Sequence, residues 1–183
     1  IAAARANPRR IVEVAAAVVG DLPDEQASDI IEEMEPDAGA DLLADLPQER
    51  ADALLNLMEP EEAAELRQLM RYDPESAGGL MTLDFVAVPQ DLTVAAALQT
   101  LREQAQEIDT LYYVYVVDDE GHLQGVFSLR DLILAAPTQR IEEIMERDVV
   151  RVRVDTDQRD IAHTVAHYDL LAVPVVDEED HLL

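Results

Sequence analysis

Between residues 15 and 70 one four-position apolar template returns every 12 residues, with a proline closing each repeat. It runs Ala15, Val18, Val19, Leu22; Ala27, Ile30, Ile31, Met34; Gly39, Leu42, Leu43, Leu46; Ala51, Leu54, Leu55, Met58; then Ala63, Leu66, Arg67, Met70. The offsets i, i+3, i+4, i+7 place these side chains on one face of a helix of two to three turns. Pro23 and Pro47 each follow a Leu, whereas Pro36 and Pro60 each follow Met-Glu, so alternate units match and the larger repeat is 24 residues. Helices this short are marginal alone and must stack their stripes on one another. The expectation is an all-α superhelical solenoid of short helices, right-handed or armadillo-like, over residues 1–71. Gly39, in mid-helix, weakens its own unit.

The pattern changes after Tyr72–Thr82 (YDPESAGGLMT), where Pro74 and Gly78-Gly79 read as a linker or hinge. From Met81 the order is strand (FVAV), turn at Pro89 to Asp91, helix (Thr93 to Glu103), strand (Leu111 to Val117), turn at Asp118 to Gly121, strand (GVFS) and helix. Met145 begins the order again: Asp155 repeats Asp91, and Val173, Val175, Val176 and Asp177 repeat Val114, Val116, Val117 and Asp118. The second half is therefore a tandem α/β duplication. The chain opens on Ile1 and stops at Leu183 straight after a strand-like run, so it reads as a piece of something longer.

Composition decides which partners are open. Forty acidic residues against thirteen basic ones give a formal charge of −27, which repels phosphate backbones and anionic membrane surfaces and points to cations. Solubility is the plainer reading of the same surplus. Without Cys there is no disulfide and no thiolate metal site. No apolar run reaches the 18 or more residues that span a bilayer, and no signal-peptide pattern is present. Asp37, Asp41 and Asp45 recur at i, i+4, i+8 along one helix edge. Like charges so placed repel by a few tenths of a kcal/mol per pair in water, and a divalent ion reverses the sign. A solvated face, with Asp37 favourable at a helix N-terminus, is the competing reading.

The segment Gly125-Val-Phe-Ser-Leu-Arg-Asp131 follows the third strand. There Gly125 lets a backbone approach a phosphate or ribose, Ser128 caps the next helix, and Asp131 is placed to hydrogen-bond a ribose diol. An ordinary strand-to-helix turn has the same residues. The β-α-β-β-α unit in tandem, with this segment, resembles a cystathionine-β-synthase (CBS) domain pair, in many of which that loop binds adenosyl nucleotides. Tyr113 and Tyr115 share a strand face beside Tyr112, for packing or for stacking on an adenine. His163 and His167 stand at i, i+4, the spacing of a transition-metal clamp, although Thr164 replaces the Glu that a metalloprotease helix carries there. No nucleophile, base and orienter constellation appears, and no enzyme is expected.

A helical solenoid joined through ESAGGLMT to a CBS pair, with TLYYVYVVDDEG, GVFSLRDL, VRVDTDQRDIA and YDLLAVPVVDEE, closely resembles the cytoplasmic region of the MgtE family of magnesium channels. The resemblance spans the chain from about Asp21. It implies a helical N domain over 1–71, a linker over 72–82, a first CBS domain over 83–139 and an incomplete second one over 140–183. It also implies Mg2+ ligands at Asp37, Asp41 and the Gly79 carbonyl, with further ions at Asp157 and Asp169. At Arg159 this chain departs from an acid that the family can carry. Asp155 and Asp157 have a second role open to them, as caps of the helix beginning near Arg159. In the family, a Tyr at the Tyr113 position and an Arg at the Arg130 position lie near a nucleotide pocket, which Gly125, Ser128 and Asp131 would complete for ATP or another adenine nucleotide.

The function implied by the resemblance is that of a homodimeric Mg2+ sensor on the cytoplasmic face of the cell membrane, which shuts a transmembrane pore carried elsewhere in the same polypeptide. The other class left open is an adenine-nucleotide-sensing CBS module regulating a soluble enzyme. Neither class takes nucleic acid as a partner.

Overall fold

The computed structural model describes residues 15–104 and 111–183, so the first 14 residues of the helical domain expected over 1–71 lie outside it. The chain divides into two compact units, 1–82 and 83–183. Among the described residues no helix is long and apolar enough to cross a membrane.

In the first unit, a helical stretch at 15–20 precedes α1 (Asp24–Glu32), α2 (Pro36–Ala44), α3 (Gln48–Leu55) and α4 (Pro60–Leu69). Pro23 and Pro47 occupy the N-cap positions of α1 and α3, while Pro36 and Pro60 stand inside the first turns of α2 and α4, where a missing N–H costs nothing. The 24-residue period is visible in the packing: α1 lies on α3, and α2 on α4. Ala27, Ile31, Leu42, Leu43, Ala51, Leu54, Leu55, Ala63 and Leu66 form the buried stripe, and Leu69 supplies the apolar group that Arg67 does not. Gly39 has a packing reason: a Cβ there would stand 3.1 Å from Leu66 Cδ2 and 3.3 Å from Ile31 Cγ2, so its helix cost secures a close crossing.

The residues read as a hinge are a capped helical turn, α5 (Ala77–Leu80). Ser76 Oγ accepts from the Gly79 N–H and donates to the Asp73 carbonyl at 2.7 Å. A Cβ on Gly79 would fall 2.4 Å from the Asp73 carbonyl oxygen and 2.7 Å from Pro74 Cα. Gly78 and Gly79 are buried, and the glycine pair serves close backbone packing. The exposed, irregular backbone lies later, around Thr82 and Asp84.

In the second unit, β1 (Ala87–Pro89), α6 (Val94–Gln104), β2 (Tyr113–Val117), β3 (Leu123–Ser128) and α7 (Leu129–Leu134) make the first copy; a 3-10 turn at Ile141–Glu143 leads to β4 (Val152–Arg153), α8 (Gln158–Tyr168) and β5 (Val175–Val176) in the second. Strand β2 pairs in parallel with β1 and antiparallel with β3, and β4 pairs in parallel with β5. Val86, Val88, Val94, Ala97, Leu101, Val114, Val116, Phe127, Leu132, Ile141 and Met145 form the core of the first copy. A smaller cluster of Tyr115, Leu123 and Val176 draws on both copies.

Candidate functional sites

Helix α2 carries both acids of the expected magnesium set and packs against α5, which carries Gly79. The fold thus brings the three residues onto neighbouring elements of one unit. Asp37 and Asp41 are half-buried, Asp45 is exposed, and Asp37 Oδ1 accepts from the Ala38 N–H at 2.7 Å. All the donors on offer are oxygens, the set a hard ion such as Mg2+ takes. Among the described residues, no group of three acids or histidines converges at Asp37 and Asp41.

The acid surplus has its clearest effect elsewhere in this unit. Burial first, then the charge and hydrogen bond of Glu32, then Glu59 and Glu33, hold the Glu62 carboxyl above its ordinary range. Glu32 Oε1 meanwhile accepts from the Glu59 N–H at 2.7 Å. Arg50 is engaged by Asp24 and by the Leu22 carbonyl.

Asp157 and Asp169 lie at the two ends of α8. Asp157 is its N-cap, accepting from the Arg159 N–H at 2.8 Å, and Asp169 closes it in the left-handed conformation at φ 52°. Eleven helical residues between them span ~17 Å. No one ion reaches both within a chain. His163 and His167 are exposed on the same helix, with ring centroids 6.0 Å apart.

The nucleotide candidates divide. Tyr113 stands opposite Ser128 in the β2–β3 register, so Tyr113, Ser128, Arg130 and Asp131 gather at one end of the sheet. Ser128 and Asp131 form a capping box: Ser128 Oγ accepts from the Asp131 N–H, and Asp131 Oδ2 accepts from Ser128 Oγ at 2.6 Å and its N–H at 3.0 Å. These bonds lower the Asp131 pKa, with the Ser128 hydroxyl the largest cause. Gly125 does not belong with them. It is buried opposite Val116, and a Cβ there would meet Met145 Sδ at 2.6 Å and the Glu146 carbonyl oxygen at 3.0 Å. The absence of a side chain there admits the segment around Glu146, where Val126 and Glu146 exchange backbone hydrogen bonds. Tyr115 is a core residue, edge-on to Phe85, its phenol pushed up to about 12 by burial and then by Tyr113.

One constellation was missed. Asp118, Glu120 and His122 converge in the turn after β2, and Asp177, Glu179 and His181 converge in the turn after β5. The signal was present, since each histidine follows its repeated aspartate by four residues.

Comparison with known proteins agrees with this architecture. The profile of the MgtE intracellular N domain matches residues 11–75, and that of the CBS domain matches 77–137 and 141–183. The magnesium transporter MgtE of Thermus thermophilus is 51% identical over 119 residues, covering 65% of this chain and 26% of that protein. The one from Enterococcus faecalis is 48% identical over the same share. The chain thus spans about a quarter of the length of these relatives. Among solved structures, the soluble part of a magnesium transporter superposes with a TM-score of 0.84 at 42% identity, covering 93% of this chain and 67% of that one. The cytosolic domain of the Mg2+ channel MgtE in complex with ATP gives 0.79 at 42% identity, covering 93% and 75%. With an MgtE-type helical N domain leading directly into tandem CBS units, the chain belongs to the MgtE family.

Proposed function

We propose that this chain is the Mg2+-sensing cytoplasmic regulatory region of an MgtE-type magnesium channel, closing the pore when Mg2+ neutralises its acidic faces. The observation that carries the reading is the packing of α2, with Asp37 and Asp41, on the turn that presents Gly79. An all-oxygen set with two carboxylates binds Mg2+ weakly, and weakness suits a sensor working near cellular concentrations. An ion at three times its dissociation constant contributes ~0.8 kcal/mol, while moving a balance from 1:99 to 99:1 takes ~5.5 kcal/mol, so on the order of seven ions would act together. The charge of −27 supplies the carboxylates. Because Gly78 and Gly79 are locked in α5, the pivot of any opening belongs at Thr82 to Asp84, not at the glycines.

Apolar residues left exposed on the CBS copies, Ile133 and Leu134 on α7 and Tyr168 and Leu171 around the end of α8, favour a homodimer built through these domains. The pore would be supplied by membrane segments elsewhere in the polypeptide. Tyr113, Ser128, Arg130 and Asp131 favour an adenine nucleotide as a second ligand; the ATP-bound relative supports this.

Small-angle scattering of the chain in chelator and in millimolar Mg2+, at matched ionic strength, tests the sensor. A smaller radius of gyration is expected in Mg2+, with the midpoint moved to higher Mg2+ by Asp37→Asn with Asp41→Asn. An unchanged radius overturns the reading. If ATP alone compacts the chain, the nucleotide-sensing alternative replaces it.

A further inference from the structure

Each copy of the duplicated unit ends its central strand in a turn that places a nitrogen donor among carboxylates. In the first, His122 Nδ1 lies 3.0 Å from Asp118 Oδ2 and 3.9 Å from Glu120 Oε2. In the second, His181 Nδ1 lies 2.9 Å from Asp177 Oδ2, and the donor atoms of Asp177, Glu179 and His181 all fall within 4.8 Å of one another. Atoms bound ~2.1 Å from one ion stand roughly 3.0 Å apart in octahedral geometry and roughly 3.4 Å apart in tetrahedral geometry. The Asp–His pairs already have the spacing of two ligands on one ion. Glu120 and Glu179 are exposed, and a carboxylate oxygen of each lies within 4.8 Å of the other two donors of its turn.

The two turns hold each other in place. The imidazoles of His122 and His181 stack with centroids 4.3 Å apart and planes inclined by 19°. The Leu123 N–H donates to the Asp180 carbonyl at 3.0 Å, and the Leu182 N–H to the Gly121 carbonyl at 3.1 Å. A five-residue turn would ordinarily lose entropy in ordering its ligands, but here each is ordered by its copy.

We propose that the turns 118–122 and 177–181 are a pair of sites for a borderline divalent transition metal, Zn2+, Ni2+ or Co2+. Each ion would be held by Nδ1 of the histidine and by the carboxylates of the aspartate and the glutamate. In a neutral ring, the proton now shared between Nδ1 and the aspartate moves to Nε2 when the metal takes Nδ1, so charge and protons balance. An imidazole nitrogen favours these ions and disfavours Mg2+, which takes oxygens. The sites are therefore separate from the magnesium set, and the proposal does not rest on the sensor reading.

The two sites are not equal. Gln124 Nε2 donates to Asp118 Oδ2 at 2.9 Å and fixes that carboxylate, leaving its second lone pair for the metal. Leu183 holds the matching place in the second copy. Arg151 and Arg153 stand 3.5 and 3.4 Å from Asp180 Oδ1 beside the second turn, and their charge weakens cation binding there. The first site binds more tightly.

The chain has four histidines, so His163 and His167 are the internal control. Co2+ titration of the chain in millimolar Mg2+, followed by calorimetry and by visible absorption, is expected to show one ion per turn at micromolar concentrations. His122→Gln with His181→Gln should abolish this uptake, while His163→Ala with His167→Ala leaves it intact. Diamagnetic Zn2+ with 15N-labelled histidine should move the Nδ1 resonances of His122 and His181. This readout uses the unaltered chain and stands even if a variant fails to fold. Absence of uptake at roughly 100 μM Co2+, uptake that survives in a folded His122→Gln, His181→Gln variant, or resonance shifts confined to His163 and His167 would each overturn the proposal.

Discussion

Helices α6 and α8 occupy the same place in the two copies of the CBS unit, yet α6 buries Val94, Ala97 and Leu101 whereas α8 buries nothing. Their sequences do not foretell this, because both carry an apolar stripe at helical spacing. The difference lies in what each stripe meets. Helix α6 shares a core with Val88, Val114 and Phe127 from β1, β2 and β3, with Leu132 from α7 and with Ile141 from the 3-10 turn. Up to Leu183, the strands of the second copy are β4 and β5, each two residues long, and no side chain of α8 is buried. Similar patterns thus give unequal burial, since burial belongs to the partner as much as to the stripe.

The strongest break of this comparison is a matched truncation. Leu101 and Val165 stand seven residues after the first residue of their helices, Leu101 3% exposed and Val165 half-buried. Leu101→Ala is expected to cost about 2–5 kcal/mol in urea unfolding, and Val165→Ala about 1 kcal/mol or less. Equal losses would mean that α8 is packed as firmly as α6.

Next in size is Gly125→Ala. The added methyl meets Met145 Sδ, which can swing, and the Glu146 carbonyl, which cannot without breaking its bond to the Val126 N–H. A loss of about 1–3 kcal/mol is expected, read as a lowered urea midpoint in the absence of any nucleotide. No loss would mean that the contact with Met145 and Glu146 does not require a glycine.

How much of this was legible depends on the range of the forces involved. The helix starts at 24, 36, 48 and 60 could be read directly, because proline and a local stripe set them. The Ser128 cap and the Asp157 cap were equally local. Gly78-Gly79 misled, since two glycines suggest a breaker, and nothing nearby announces that Ser76 caps the turn or that the Asp73 carbonyl occupies the space a side chain would need. The packing of Gly125 was hidden for a similar reason: its neighbours, Met145 and Glu146, lie far along the chain, beyond α7. The proposed magnesium set rests on resemblance alone, because an i, i+4, i+8 row of acids is also an ordinary wet face.

Hydrogen exchange sharpens the comparison without any mutation. With no buried side chain to hold it, α8 should open at least tenfold more often than α6, a difference of about 1.4 kcal/mol in local stability. Mass spectrometry of peptides covering Val94–Gln104 and Gln158–Tyr168 reads this directly. Matching rates in a demonstrably monomeric sample would show that α8 is held by its own backbone.

The smallest expected effect concerns the turns, where the copies are most alike. Desolvation pushes Asp118 and Asp177 upward, but the N–H groups and imidazoles of His122 and His181, with the N–H groups of Glu120 and Glu179, outweigh it and leave both pKa values lowered. A lowered folded-state value means that the stabilisation is full above the ordinary carboxylate value, ~3.9, and is lost as pH falls through the folded value. Melting temperature against pH should therefore drop on the acid side for the unaltered chain, and less steeply for Asp118→Asn or Asp177→Asn, with the curves meeting at the acid end. Asp118 has the extra donor Gln124, so its replacement should flatten the slope more than that of Asp177, whose copy has Leu183 at that place. The reverse order would mean that Arg153, bonded to the Asp177 carbonyl, supports the second turn more than the glutamine supports the first.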